Sequence, residues 1–130
     1  MKKDENLIVI VDDSEIIRNG IKNCLIATDY QFVEAVDGLE GIEVVKKFGD
    51  KISLLIIDLN MPRLNGIEMM EEMSSHSIGN DIPKILLTSE PPHEFLSLKT
   101  RIPNLQAVMM KPIMEQKFIA VINKIIGIQK

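Results

Sequence analysis

Five polar side chains stand out because each directly follows an apolar, strand-like run. Asp12 and Asp13 follow Leu7-Ile8-Val9-Ile10-Val11, and Asp58 follows Leu54-Leu55-Ile56-Ile57. Thr88 follows Ile85-Leu86-Leu87, and Lys111 follows Ala107-Val108-Met109-Met110. With the first and third strands adjacent, the three aspartates converge on one crevice. Carboxylates at such range cannot all stay ionised without a strong pKa shift or a cation. A hard divalent ion held by carboxylates, water and phosphate oxygens is the usual solution for Mg2+. A carboxylate can also act as a nucleophile, forming an acyl phosphate. A hydroxyl and an ammonium on neighbouring strands then stand where transferred phosphoryl oxygens carry charge, and phosphoryl transfer asks little else of a protein.

Each residue alone has a plainer reading. Asp13 or Ser14 suits a helix cap, Asp58 a turn, Thr88 a strand end and Lys111 a solvated surface. The set, spread over the ends of four strands in chain order, is what points to phosphoryl transfer.

The elements that must position these groups alternate strictly. Leu7–Val11 has no polar alternation, as expected of a strand covered on both faces. The next segment sets Ile17, Ile21, Cys24, Leu25 and Thr28 on one helical stripe. Gln31–Ala35 is more polar and suits an edge strand, and Asp37-Gly38 opens a helix carrying Leu39, Ile42, Val45 and Phe48. Leu54–Ile57 repeats the buried-strand signature, and the loop 59–66 leads to a helix with Ile67, Met70 and Met73 aligned. Pro83–Thr88 reads as a fourth strand, His93 to Thr100 as a short fourth helix and Ala107–Met110 as a fifth strand. The last helix aligns Phe118, Val121, Ile122, Ile125 and Ile126. Five such units imply an α/β fold with a doubly wound, five-stranded parallel sheet and right-handed crossovers. In the flavodoxin-like (βα)5 order 2-1-3-4-5, ligands bind at the carboxyl ends of the strands, where the winding reverses.

Taken together, the pair Asp12-Asp13, the segment Asp58-Leu59-Asn60-Met61-Pro62, Asn65-Gly66, Thr88 and Lys111-Pro112 resemble the receiver domain of two-component response regulators, in its single-domain chemotaxis-type form. The likeness covers residues 1–130 as one domain. It implies that Asp58 is the phosphoacceptor, and that Asp12, Asp13, Asp58 and the backbone carbonyl of Asn60 hold Mg2+. It implies that Lys111 pairs with Asp58 and then with the phosphoryl group, and that Thr88 bonds a phosphoryl oxygen in the active state. A cis bond before Pro112 is a further implication. Asn60 and Glu90 occupy the positions flanking the path of hydrolytic water, so rapid self-dephosphorylation is expected. The implied phosphodonor is a phosphohistidine on a sensor histidine kinase or histidine phosphotransfer protein, and the output is altered binding to a downstream target protein. Such a domain catalyses only its own phosphorylation and dephosphorylation and is not otherwise an enzyme.

Three departures from the family concern output. Val108 stands where an aromatic switch residue is usual, Pro91-Pro92 follows Thr88-Ser89-Glu90, and residues 99–105 lack a small-residue turn. Signalling is therefore expected through the loop after Thr88 and the fourth helix, without an aromatic switch. The competing reading is a receiver-like module that binds partners without being phosphorylated.

Composition narrows the remaining classes. Fifteen basic against nineteen acidic residues give a net charge of −4 with only short basic doublets, which argues against direct nucleic-acid binding. No apolar run exceeds the five residues of Leu7–Val11, so no membrane span or signal-peptide core is expected and the expected address is the cytoplasm. The single cysteine, Cys24, excludes an intramolecular disulfide and reads as a core residue. His76 and His93 share no metal spacing, and Met69 and Met70 are candidates for a soft contact surface. A phosphatase of the haloacid-dehalogenase type needs a second aspartate where Asn60 stands, and Asp12-Asp13 would repel a flavin phosphate. A monomer or weak dimer is expected.

Overall fold

Leu7–Val11 (β1) is buried at every position, which accounts for its lack of polar alternation: a strand with helices over both faces has no solvent side. The computed structural model describes residues 6–90, 93 and 95–127. The chain continues through Glu15–Cys24 (α1), Gln31–Ala35 (β2), Gly38–Phe48 (α2), Ile52–Asp58 (β3) and Gly66–Ser75 (α3). It ends with Lys84–Thr88 (β4), Phe95–Arg101 (α4), Leu105–Met110 (β5) and Glu115–Ile126 (α5). A single 3-10 turn, Gly49–Lys51, joins α2 to β3.

The strands form one parallel sheet in the order β2-β1-β3-β4-β5, the expected doubly wound arrangement. Strand alternation divides the interior into two cores. Ile8, Ile10, Leu54, Ile56, Ile85 and Leu87 pack with Ile21 of α1 and with Phe118 and Ile122 of α5. Val9, Val11, Leu55, Ile57 and Leu86 point the other way, onto α2, α3 and α4. Each fully buried Leu, Ile or Phe contributes roughly 1.5–3 kcal/mol against exposure, so the two cores hold the strand ends in register.

The helix starts are chemically marked. Ser14 caps α1 by accepting the Ile17 amide, Asp37 caps α2 by accepting the Glu40 amide, and Asn65 with Glu68 forms a reciprocal capping box on α3. Ser14 rather than Asp13 thus does the capping, and Asp13 is left to the crevice.

Several expectations needed correction. The first helix stops at Cys24, and the Thr28 hydroxyl donates to the Leu25 carbonyl within a series of tight turns. Leu39 is 47% exposed because the buried face of α2 is instead Gly38, Gly41, Ile42 and Val45. Met69 and Met70 are completely buried against Met73 and the sheet, so they offer no contact surface. Cys24 is only partly buried, at the margin of the core under α1. Pro91 and Pro92 lie outside the described residues.

Candidate functional site

The carboxyl ends of β1 and β3 are neighbours, so the residues ending them meet. Asp12 follows β1 directly; its amide donates to the Ala35 carbonyl at 3.0 Å, and its Oδ1 accepts the Ser14 amide at 2.9 Å. Asp58 is the last residue of β3 and faces Leu87 of β4. Both are buried, with Asp12 1% and Asp58 2% exposed, whereas Asp13 is exposed at the lip. One carboxylate oxygen from each of Asp12, Asp13 and Asp58 lies within 4.8 Å of the other two.

The loop after β3 is pressed close to this cluster. The Leu59 amide donates to the Leu87 carbonyl at 2.8 Å, and the Gly66 amide donates back to the Leu59 carbonyl at 2.9 Å. A Cβ on Gly66 would sit 2.5 Å from the Asp58 carbonyl oxygen, so only glycine permits this approach. Met61 is buried in the core, anchoring the loop, while Asn60 is exposed at its crest.

Lys111 closes the far side. Its amide donates to the Thr88 carbonyl at 2.8 Å, and the following bond to Pro112 is cis. The ammonium stands 2.7 Å from Asp58 Oδ1 and 3.4 Å from Asp12 Oδ2. It is ion-paired with both, yet neither oxygen has a directed hydrogen bond. Burial acts first to lower the Lys111 pKa, but the close pairing with the Asp58 carboxylate and the charges of both aspartates outweigh it, and the net shift is upward. Asp12 is shifted upward as well: burial is the largest cause, the Ser14 amide opposes it, and the Asp58 charge adds to it.

Two buried oxygens without directed partners, in a set of hard oxygen donors, fit a divalent cation of the Mg2+ type. Among the described residues, Asp12, Asp13 and Asp58 form the cluster suited to a metal.

Thr88, the last residue of β4, is buried, and its hydroxyl donates to the Glu90 carbonyl at 2.6 Å while accepting the Glu90 amide at 3.1 Å. The hydroxyl is therefore committed to its own loop. Glu90 itself is exposed. Val108 is partly buried on β5 beside Leu86. His76 caps α3 at the surface, near Glu72, and His93 is exposed; neither approaches the acidic cluster.

Sequence reasoning missed three charged residues. Arg18 of α1 donates to the Asp12 carbonyl at 2.6 Å and to Glu34 at 2.7 Å. Arg63, in the loop after β3, pairs with Asp37 at the start of α2. Lys84 at the base of β4 is 1% exposed and donates to the carbonyls of Gly79, Ile82 and Pro103 at 2.8, 2.8 and 2.9 Å. Its only sequence signal is a charge in phase with Leu86, a face that must be buried.

Residues 8–123 match the response regulator receiver domain family. Over 83 residues the chain is 40% identical to response regulator RR06 of Streptococcus pneumoniae, covering 63% of this chain and 36% of that protein. Over 84 residues it is 38% identical to chemotaxis protein CheY1 of Helicobacter pylori, covering 64% of this chain and 67% of that one. The chain thus spans about a third of the first relative and two thirds of the second. Its fold is similar to the receiver domain of the Pseudomonas aeruginosa sensor histidine kinase PA1611, solved with a magnesium ion in its active-site cleft. There the TM-score is 0.77 at 18% identity, over 94% of this chain and 98% of that one. The parallel sheet in 2-1-3-4-5 order, the acidic cluster at its switch point and the match over residues 8–123 establish that this chain belongs to the response regulator receiver domain family, a CheY-like signalling module of two-component systems.

Proposed function

We propose that the chain is a phosphoacceptor receiver that takes a phosphoryl group onto Asp58 from a phosphohistidine on a sensor histidine kinase or phosphotransfer protein. The observation that carries this reading is the buried Asp58 carboxylate, within 4.8 Å of Asp12 and Asp13 and 2.7 Å from the Lys111 ammonium. A carboxylate oxygen of Asp58 attacks phosphorus, the histidine N–P bond breaks, and its electron pair returns to the imidazole. The product is an acyl phosphate.

Asp12, Asp13, Asp58 and the Asn60 carbonyl would hold Mg2+, which when bound supplies positive charge to the phosphoryl oxygens. The similar PA1611 receiver, which carries magnesium in its cleft, supports this choice of ion. Lys111 already lies beside Asp58 and transfers its ion pair to the incoming phosphoryl group. Thr88 must release the Glu90 carbonyl before its hydroxyl can serve a phosphoryl oxygen.

Asn60 and Glu90 are both exposed, two residues after Asp58 and Thr88 respectively. They govern access of the hydrolytic water, and the phosphorylated state is short-lived. The signal leaves through changed binding to another protein.

Mapping the modified residue tests this assignment. After brief incubation with acetyl phosphate and Mg2+, borohydride reduction of the acyl phosphate should convert Asp58 alone to homoserine, read by peptide mass spectrometry. Conversion at Asp12 or Asp13 instead would overturn the assignment.

A further inference from the structure

Arg18 lies outside the acidic cluster, yet its side chain is only 12% exposed and reaches both the residue after β1 and a residue of β2. One terminal nitrogen donates to the main-chain carbonyl of Asp12 at 2.6 Å, beyond the end of β1. Its Nε donates to Glu34 Oε1 on β2 at 2.7 Å, and the other Glu34 oxygen accepts from Lys22 at 2.6 Å.

We propose that Arg18 is a positioning residue for the metal-binding pair Asp12 and Asp13, clamping the peptide between them through the Asp12 carbonyl and using Glu34 as its anchor. The proposal rests on the receiver reading above, in which these two aspartates hold Mg2+.

The argument is one of rigid geometry. The Asp12 carbonyl belongs to the peptide plane that joins Asp12 to Asp13, and that plane is rigid. Gripping its oxygen fixes that plane and with it the N–Cα bond of Asp13, the axis about which its side chain is set. The neighbouring attachments do not do this. The Ala35 carbonyl holds the preceding amide of Asp12, and the Ser14 amide holds the Asp12 side chain. Arg18 adds a third tether, at the point where the chain turns from strand to helix. Its own amide donates to the Ser14 carbonyl at 3.0 Å, so backbone and side chain of one residue bracket residues 12–14.

A guanidinium suits this task because its planar donors have fixed directions and can serve two acceptors at once. Glu34 keeps the plane oriented: the Lys22 hydrogen bond, opposed by burial and reinforced by Arg18, holds the Glu34 carboxyl below the usual range and therefore ionised. Groups that orient metal ligands without touching the metal characteristically alter affinity about 10- to 100-fold when removed.

The test is Mg2+ titration by calorimetry with no phosphodonor present, on the native chain, Arg18→Met, Arg18→Lys and Arg101→Met. Arg101 pairs with Glu71 away from the cluster, so Arg101→Met controls for loss of a surface ion pair. Arg18→Met should weaken Mg2+ binding about 10-fold, Arg18→Lys should weaken it less, and Arg101→Met should leave it unchanged. At saturating Mg2+, the maximal rate of phosphorylation by acetyl phosphate should return to the native value, because Arg18 touches no reacting atom. A folded Arg18→Met protein that binds Mg2+ within about twofold of native overturns the proposal. If that variant does not fold, Arg18→Gln, whose shorter side chain cannot reach the Asp12 carbonyl, decides by the same criterion. Absence of Mg2+ binding by the native chain would instead overturn the receiver reading itself.

Discussion

Thr88 and Glu90 hold each other: the threonine hydroxyl donates to the Glu90 carbonyl at 2.6 Å and accepts the Glu90 amide at 3.1 Å. In the proposed mechanism Thr88 serves a phosphoryl oxygen, and its hydroxyl is stitched to the loop that leads to α4. Recruiting the hydroxyl to the site breaks both bonds and releases that loop. Val108 carries no ring that could swing in to report the change. With beryllium fluoride as phosphoryl mimic, the Glu90 amide and the residues of α4 should show the largest NMR shifts outside the acidic cluster. Thr88→Ala should keep the mimic bound while abolishing the shifts in α4. Unmoved α4 resonances in the native protein would show that the output leaves by another route.

Asp12 makes the site unfavourable to fold without metal. Its raised pKa means that the folded chain binds the proton more tightly than the unfolded chain does. Stability from this group is present at low pH and is lost as pH rises from the unfolded value of 3.8 through the higher folded value. Near neutrality the ionised carboxylate is a cost. Asp12→Asn should raise the melting temperature of the metal-free protein at pH 7 by several degrees and abolish the further rise on adding Mg2+. Thermal melts with and without Mg2+ check this, and a lower Tm for the metal-free variant would contradict it.

Lys84 presents the opposite case, a charge caged far from the chemistry. Its ammonium serves three carbonyls that belong to two different turns, at Gly79 and Ile82 and at Pro103. Lys84→Met leaves those acceptors without the donor and should cost about 2–4 kcal/mol. Burial pushes the Lys84 pKa from 10.5 down to about 8, with Asp81 opposing. The folded chain therefore releases the proton before the unfolded chain does, and this group's contribution becomes more favourable between about pH 8 and 10.5. Urea midpoints should show the gap between native and Lys84→Met widening across that window. Phosphorylation of the variant should persist below its melting point, since Lys84 and Thr88 lie at opposite ends of β4.

What could be read from the chain follows from what strands and loops depend on. β1 and β3 were readable because two-sided burial demands unbroken apolar runs, and the aspartates that end them are the first residues released from that demand. Asp12, Asp13 and Asp58 were found together for that reason, whereas Lys111 follows the half-exposed edge strand β5 and was found from its place in the order of strand ends. The Arg18 and Lys84 contacts were not readable, because both donate to main-chain carbonyls. Every residue carries such a carbonyl, so no residue type marks the acceptor. The exposure of Leu39 was missed because periodicity places a residue on a helix face without saying how far the neighbouring helix extends over it.

Asn60 and Glu90 set the lifetime of the signal in this account. Both are exposed. The phosphorylated form should decay within seconds to minutes once the phosphodonor is removed, and replacing Asn60 with methionine should lengthen that time. Following the loss of the phosphoryl group by quenched mass spectrometry checks this. A native half-life of hours would contradict it.

The central claim is the acyl phosphate on Asp58, and intact mass measures it most directly. The native chain and Asp58→Asn are incubated with acetyl phosphate, with and without Mg2+, then quenched rapidly and weighed. The account predicts one phosphoryl adduct on the native chain, dependent on Mg2+ and absent from Asp58→Asn. No adduct at any quench time, together with failure to bind beryllium fluoride, would contradict it and leave a receiver-like module that meets its partners unphosphorylated.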